Sequence, residues 1–562
     1  MRKYNFLLIF VFLSTLYVSC YNNKDVNIKI YDDKPNVFII LTDDQGWGDL
    51  SYTGNSNLHT PNIDSLARAG AYFSNFYVSP VCSPTRAELL SGRYHPRSRV
   101  YHTSAGGERM DVDETTIAEV FKQAGYKTGI FGKWHNGMQY PYHPNGRGFD
   151  EFYGFASGHW GDYFSPRLLE RNGKLVEGEG YIVDDFTDKA LSFMETHHQD
   201  PFFLFVSYNT PHSPMQVPDR WWEKFANKEL AMRHRDPEKE DLTFTRAALA
   251  MVENIDWNVG RLMDKLDKLA LDKQTIVLFA SDNGPNSWRW NGEMRGRKGS
   301  TDEGGVRSPL FITWTDVIES GTTITEISAA IDLLPTLADL AGIPAETAYP
   351  LDGVSLKPLL VDQNRDQEQE YSRNDRLIFS HWRGRTSVRN STYRLDHEGR
   401  LYNIAQDRQQ RHDISAEHPE LRQTLSDSVA AWEKEVFPED YKEPRPFPVG
   451  HPDFKYTQLP ARDGVAHGGI ERSNRFPNAS FFRNWTSVQD SITWDVEVLS
   501  EGSYEVTLYY TCAPEGTGST IALSLGSEQI ETTLSEAHNP PLRGMEDDRV
   551  ERMESYVKDF KP

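Results

Sequence analysis

Asn36-Val37-Phe38-Ile39-Ile40-Leu41-Thr42-Asp43-Asp44-Gln45-Gly46 is an apolar run that ends on two adjacent carboxylates. The apolar residues do not alternate with polar ones, so the run reads as a strand buried on both faces, as in a parallel sheet. Neighbouring carboxylates at the end of such a strand repel each other unless a cation lies between them, and open α/β sheets bind ligands at that edge. A hard divalent metal is implied. A solvated Asx turn would account for one aspartate but explains the pair less well.

The same grammar recurs along the chain. Residues 201–208 carry Phe202-Phe203-Leu204-Phe205-Val206 and run into Asn209-Thr210-Pro211-His212. Residues 275–280 read as a strand ending on Ser281-Asp282-Asn283-Gly284, and residues 126–131 as one ending on Gly132-Lys133-Trp134-His135. Helices are predicted over 62–69, 115–122 and 332–337. Repeated strand-then-helix periodicity to about residue 360 predicts an α/β fold, a mainly parallel sheet with helices on both faces. Asp43, Asp44, Asp282 and Asn283 then bring four oxygen-bearing side chains from two distant strands, which suits Ca²⁺ or Mg²⁺ and no soft metal.

Between these strands lies Val81-Cys82-Ser83-Pro84-Thr85-Arg86-Ala87-Glu88-Leu89-Leu90-Ser91-Gly92-Arg93. Pro84 is read as shaping a turn, Arg86 as a fixed positive charge near residue 82, and residues 87–90 as the start of a helix whose N-terminus points at the cysteine. Anion chemistry is favoured there, although a lone cysteine is more often a small buried hydrophobe. The full pattern, with Cys-x-Pro-x-Arg at its centre, resembles the signature of the type I sulfatases. In that family the cysteine becomes formylglycine (3-oxoalanine), made by a formylglycine-generating enzyme or an anaerobic sulfatase-maturating enzyme, and its hydrated aldehyde is the nucleophile.

The resemblance extends from about residue 35 to 437 and implies an alkaline-phosphatase-like fold. It places Lys133 on the formylglycine and the sulfate, His135 on the formylglycine hydroxyl, and His212 on the ester oxygen as donor or general acid. Arg295-Gly296-Arg297-Lys298-Gly299-Ser300 through Arg307 matches the family's lysine loop, with Lys298 at the sulfate. The implied catalytic set is Cys82, Arg86, Lys133, His135, His212 and Lys298. One Ca²⁺ is implied, held by Asp43, Asp44, Asp282, Asn283 and the modified Cys82. One hydroxyl of the hydrated aldehyde would attack sulfur as the alcohol leaves, and the other would expel sulfate.

Residues 1–20, with Arg2 and Lys3 before an apolar run at 6–16, read as a secretory signal. Ser19-Cys20 resembles a lipoprotein cleavage site; ordinary cleavage nearby stays open. The expected location is the periplasm or outer membrane of a Gram-negative bacterium, with membrane contact only through a lipid anchor. The other cysteines, Cys82 and Cys512, leave no disulfide framework once Cys20 and Cys82 have these uses. The net charge is −22, and −24 once Arg2 and Lys3 depart. A chain this acidic is a poor general binder of nucleic acid, so an anionic substrate needs a local cluster of cations.

The 562-residue length suggests several domains: a catalytic domain over 35–360, a small C-terminal antiparallel subdomain over 361–437, a linker over 438–465 and an accessory module over 466–562. Period-two alternation at 491–498, 503–510 and 520–525 predicts a β-sandwich or part of one in the last. His102, Arg109, His159, Trp160, Asp162, Trp288, Arg289 and Trp290 are expected to rim the cleft and suit a sulfated polysaccharide or oligosaccharide. Algal glycans such as ulvan, fucan or carrageenan are favoured. The rival readings are a phosphatase or phosphodiesterase of the same superfamily, and an inactive glycan-binding lipoprotein.

Overall fold

The apolar run after Pro35 becomes a strand whose seven residues are all buried, and neighbours pair with it in parallel on both sides. In the computed structural model, which describes residues 34–361, 376–552 and 556–562, this strand lies inside a ten-stranded sheet. The expected signal, with Cys20, lies outside the described residues. The strands are β1 (Asn36–Thr42), β2 (Ala71–Phe73), β3 (Lys127–Lys133), β4 (Glu151–Phe155), β5 (Leu169–Arg171), β6 (Lys174–Val176), β7 (Phe202–Ser207), β8 (Thr275–Ser281), β9 (Leu310–Thr313) and β10 (Thr322–Ile324). Their order is β10-β2-β9-β8-β1-β7-β3-β4-β5-β6. The block from β8 to β4 is parallel throughout, and antiparallel pairings extend it on both sides.

Helices cover both faces. On one, Phe38, Ile40, Leu204, Val206, Val277 and Phe279 share a core with α1 (Pro61–Ala69), α4 (Ile182–Thr196) and α5 (Leu242–Lys268) through Leu66, Phe186 and Val252. On the other, Phe203 stacks on Phe121 of α3 (Ile117–Gln123) with ring centroids 4.8 Å apart. Burying one such side chain contributes roughly 1.5–3 kcal/mol, so Leu204→Ala should cost about 2–5 kcal/mol once its cavity is included.

The helix starts have specific causes. Thr116 and Glu119 form a capping box that fixes the start of α3. Thr60 gives α1 no side-chain cap; Asp256 of α5 accepts instead from the backbone N–H groups of Asn62 (2.9 Å) and Ile63 (2.8 Å). Helix α2 (Cys82–Ser91) begins at the cysteine itself, not at Ala87 as expected, and all ten of its residues are buried. Pro84 lies in its first turn, where a missing N–H costs nothing, so it continues the helix rather than turning the chain. Gly92, at φ +68°, ends it with an N–H to the Glu88 carbonyl.

Beyond α6 (Leu333–Leu340), strands Ile378–Trp382, Arg385–Arg389, Tyr393–Leu395 and Leu401–Asn403 form an antiparallel sheet. It packs with α7 (Pro419–Val436), whose Trp432 stacks on Phe379 at 4.9 Å and meets Tyr94, just after α2, at 5.1 Å. The remainder departs from the expected sandwich. Its described residues form only two-stranded pairs, such as Thr520–Leu525 with Glu528–Thr533, and residues 503–509 form no strand. Val506, Leu525 and Ile530 stay more than half exposed. Alternation marks a face that wants covering, and among the described residues no second sheet covers it. No helix of the described residues is long and apolar enough to cross a membrane.

Candidate active site

The parallel register brings the strand ends together. Thr42 of β1 pairs with Ser281 of β8 and Leu41 with Ser207 of β7, while Gly132 of β3 pairs with Ser207 from the other side. Asp43, Asp44, Asp282, Asn283, Lys133 and the 209–212 turn therefore emerge at one edge, and α2 delivers Cys82 and Arg86 to it. Only glycine fits at 132: φ is +119°, and a Cβ would lie 1.9 Å from the Ser207 carbonyl oxygen. Asp44 (φ +64°) and His135 (φ +71°) also hold left-handed backbone, a sparsely populated region for such residues that concentrates at functional sites.

Three cations face three carboxylates. Lys133 Nζ lies 2.7 Å from Asp43 Oδ2, and Lys298 Nζ lies 2.6 Å from Asp44 Oδ1. Arg86 forks onto Asp282 Oδ2 from Nε (3.1 Å) and Nη2 (2.9 Å), and its Nη1 donates to the Lys133 carbonyl at 3.1 Å. Burial would raise Asp44, but Lys298, His212 and the Asn283 amide hold it below the ordinary carboxylate range. Burial likewise opposes the Lys298 charge, yet Asp44 holds that lysine above its usual range. Asp282 is pushed up to about 6 by burial and by Asp43. Burial pushes the Cys82 thiol up, so the unmodified thiol is a poor nucleophile at neutral pH.

Three oxygens at this edge stay in reserve. Asp43 Oδ1, Asp44 Oδ2 and Asn283 Oδ1 are buried with no hydrogen-bond partner among the described residues. Leaving a buried acceptor unpaired costs roughly 1–3 kcal/mol, so three together at one strand edge call for a cation. Ligand atoms of Asp43, Cys82 and Asp282 lie within 4.8 Å of one another, as do those of Asp43, Asp44 and His212. The oxygen donors at this edge, from Asp43, Asp44, Asp282 and Asn283, fit a hard divalent ion.

The histidines differ in what they leave open. His135 Nε2 lies 2.8 Å from the Thr103 carbonyl, which can only accept, so Nε2 carries the proton; Nδ1 is buried and without a partner among the described residues. Burial and Lys133 hold this ring neutral by lowering its pKa well below the ordinary value. His212 Nδ1 donates to the Ser213 carbonyl (2.6 Å), leaving Nε2 facing Asp44 Oδ2 at 3.6 Å. Burial and Lys298 lower His212 to about 3.

The expected rim is partly corrected. Arg109 is buried and donates to the Pro446 carbonyl (2.7 Å), its guanidinium 4.5 Å from the Phe447 ring centroid. Arg289 is buried on Asp49, with contacts of 2.9 and 2.6 Å. Asp162 is buried and paired with Arg543, and Trp160 stacks on Phe155 at 5.3 Å. These four brace loops, because a guanidinium or carboxylate inside a loop-rich wall is satisfied by nearby backbone and counter-charges before any substrate arrives. His159 touches His212 (3.3 Å between Nδ1 atoms), Trp290 lies against Trp47 at 6.3 Å, and His102 Nδ1 meets Ser104 Oγ at 3.2 Å. Trp288 faces a cavity described below.

Sequence reasoning missed Ser207, whose Oγ donates to the Lys133 carbonyl at 2.6 Å, and Asn136, which donates to the Ser83 carbonyl at 3.2 Å. A polar residue closing the all-apolar β7 was the available signal for the first. Asn478, at 2.8 Å from the Thr103 carbonyl, gave none.

A deep sheet edge with a buried cysteine at the head of a helix, two lysines and a hard-cation cradle defines a hydrolase for oxyanion esters. The sulfatase family model matches residues 35–343, more than half of the chain, and the chain belongs to that family: it is a sulfuric ester hydrolase. Mouse (Mus musculus) N-acetylgalactosamine-6-sulfatase is 33% identical over 380 residues, covering 61% of this chain and 70% of that protein. Human (Homo sapiens) arylsulfatase H is 28% identical over 435 residues, covering 60% of this chain and 74% of that protein. Among solved structures, Ps i-CgsB in complex with k-i-k-neocarrahexaose matches with a TM-score of 0.63 and 30% identity, over 71% of this chain and 93% of that one.

Proposed function

We propose that this sulfatase removes sulfate esters from a sulfated polysaccharide or oligosaccharide, with Cys82 converted to formylglycine and one Ca²⁺ held by Asp43, Asp44, Asp282, Asn283 and residue 82. The observation that carries the site chemistry is the set of buried oxygens of Asp43, Asp44 and Asn283 that have no partner among the described residues, with Asp43 beside Cys82. When bound, the ion supplies Lewis-acid charge to a sulfate oxygen, and the converted residue supplies the nucleophilic oxygen.

The chain's own groups then have distinct tasks. Lys133, Lys298 and Arg86 are fixed cations where negative charge grows on sulfate oxygens, and they need no reorganisation because carboxylates already hold them in place. His135, neutral and with its buried Nδ1 able to accept, would take a proton from a hydroxyl at residue 82, the role the sulfatase resemblance implies. His212 Nε2 faces the metal carboxylate and serves the leaving oxygen as hydrogen-bond donor or general acid once a sulfate anion favours its protonation.

The carbohydrate reading is supported by the likeness to a structure holding a neocarrahexaose and to an N-acetylgalactosamine-6-sulfatase. An algal glycan such as carrageenan, fucan or ulvan is the favoured class. Export to the periplasm or outer membrane, with Cys20 lipidated, and maturation by a formylglycine-generating or anaerobic sulfatase-maturating enzyme complete the reading. Two measurements test it. Mass spectrometry of the Cys82 tryptic peptide from active protein should show the aldehyde, and full activity with an intact thiol would refute the mechanism. Desulfation across defined sulfated oligosaccharides should find a carbohydrate substrate turned over faster than aryl sulfates.

A further inference from the structure

Beside the catalytic edge, the lysine loop opens into a cavity of about 410 Å³ whose wall includes Arg235, Lys239, Trp288, Arg297, Lys298 and Arg385. Lys298 belongs to both places, since its Nζ rests on Asp44 of the catalytic edge. The cavity also contains Asp236 and Asp302, but these are spoken for: Lys239 sits 2.7 Å from Asp236, and Arg295 sits 3.7 Å from Asp302. Arg235, Arg297 and Arg385 have only carbonyl acceptors among the described residues: Gln409 (2.6 Å) and Glu293 (3.4 Å) for Arg235, Asn286 (2.7 Å) for Arg297 and Gly299 (3.2 Å) for Arg385. Trp288 gathers cations rather than offering a bare ring: the Arg297 guanidinium is 4.8 Å and the Lys239 ammonium 5.4 Å from its centroid.

Among the described residues these three guanidiniums have no carboxylate in ion-pair contact, on a protein of net charge −22. Burial, with Arg552 nearby, holds Arg297 below the usual arginine range against the pull of Asp44. A polyanion approaching an acidic protein is repelled at long range, so a local positive cavity next to the reaction centre compensates that repulsion. Guanidiniums converging from separate segments suit the several oxygens of a tetrahedral anion.

We propose that this cavity is a second anion subsite, which binds a sulfate group on the sugar next to the one being desulfated. The proposal rests on the carbohydrate-sulfatase reading and sharpens it: the substrate carries at least two sulfates on neighbouring sugars.

The test uses the full-length protein and two disaccharides that share the cleavable sulfate, one of them bearing a second sulfate on the neighbouring sugar. In the Cys82→Ala protein, which binds without turnover, the disulfated disaccharide should bind at least tenfold more tightly by calorimetry. Adding Arg385→Gln, or separately Arg297→Gln, should shrink that ratio to about one. Turnover is followed in parallel with the mature enzyme, where the kcat/KM ratio should fall the same way. Equal binding of the two disaccharides by Cys82→Ala, or a ratio untouched by both arginine variants, would overturn the subsite. If the binding preference holds while neither disaccharide is desulfated, the subsite stands and the carbohydrate-sulfatase reading fails.

Discussion

Asn478 and His135 share one acceptor: Asn478 Nδ2 and His135 Nε2 each lie 2.8 Å from the Thr103 carbonyl oxygen. Asn478 accepts in turn from Arg462 Nη1 (3.0 Å), and Arg462 pairs with Glu108 at 3.0 Å. The C-terminal region thus shares with His135 the carbonyl that fixes its tautomer. Asn478→Ala should lower kcat about three- to tenfold, the worth of one net hydrogen bond, with KM little changed. Unchanged kcat in a protein of unaltered Tm would show that Thr103 keeps its position without Asn478.

His212 and Asp282 should fail in different ways. A donor to the leaving oxygen acts mainly in the transition state, so His212→Ala should lower kcat by about 10² to 10⁴ on a sugar sulfate. On an aryl sulfate, whose leaving group needs little protonation, the loss should be much smaller. Asp282→Ala should damage both substrates alike, because it removes a cation ligand and strands the Arg86 charge, 2% exposed, without its partner. Equal losses for His212→Ala on the two substrates would assign it to sulfate binding alone.

Metal binding has a readout independent of turnover. Protein stripped by chelator should gain stability on adding Ca²⁺, by about 2.7 kcal/mol at a hundredfold excess over Kd, seen as a rise in Tm. Asp43→Asn with Asp44→Asn should abolish that rise. A Tm indifferent to Ca²⁺ in metal-free protein, confirmed by elemental analysis, would remove the ion from the site.

Asp256 sets a pH-dependent term in stability. Burial pushes its carboxyl up to about 6, against the hydrogen bonds it accepts from Asn62 and Ile63. The unfolded carboxyl titrates near 3.9, so between about pH 4 and 6 the native state binds the extra proton and stability falls as pH rises through that window. Relative to Asp256→Asn, the native protein should therefore gain about 1 kcal/mol on going from pH 7 to pH 5, read as a difference in Tm. A pH-independent difference would mean that the head of α1 keeps Asp256 ionised.

Much of this molecule was legible because its chemistry sits where local patterns end. Runs such as Val37 to Leu41 and Phe202 to Val206 can only be buried strands, and a charged or hydroxyl residue closing such a run has to lie at the sheet edge. That logic brought Asp43, Asp44, Asp282 and Asn283 together, while the resemblance to the sulfatases added Lys133 and His212. It failed where a local signal has two meanings. Pro84 reads equally as a turn or as a first helical turn, and only packing of all ten α2 residues into the interior chose the helix.

By itself, then, the sequence determined the parallel sheet, its edge and the identity of the residues that meet there, because hydrophobic period and strand ends are local properties. Tertiary structure decided which charges are spent and which are free. Arg109, Arg289 and Asp162 looked like substrate contacts and are buried in the wall, Arg109 on backbone carbonyls and Arg289 and Asp162 on counter-charges, whereas Arg235, Arg297 and Arg385, from three separate segments, line one cavity. Whether a guanidinium holds the fold together or awaits an anion depends on what lies within about 4 Å of it, and long-range packing sets that distance.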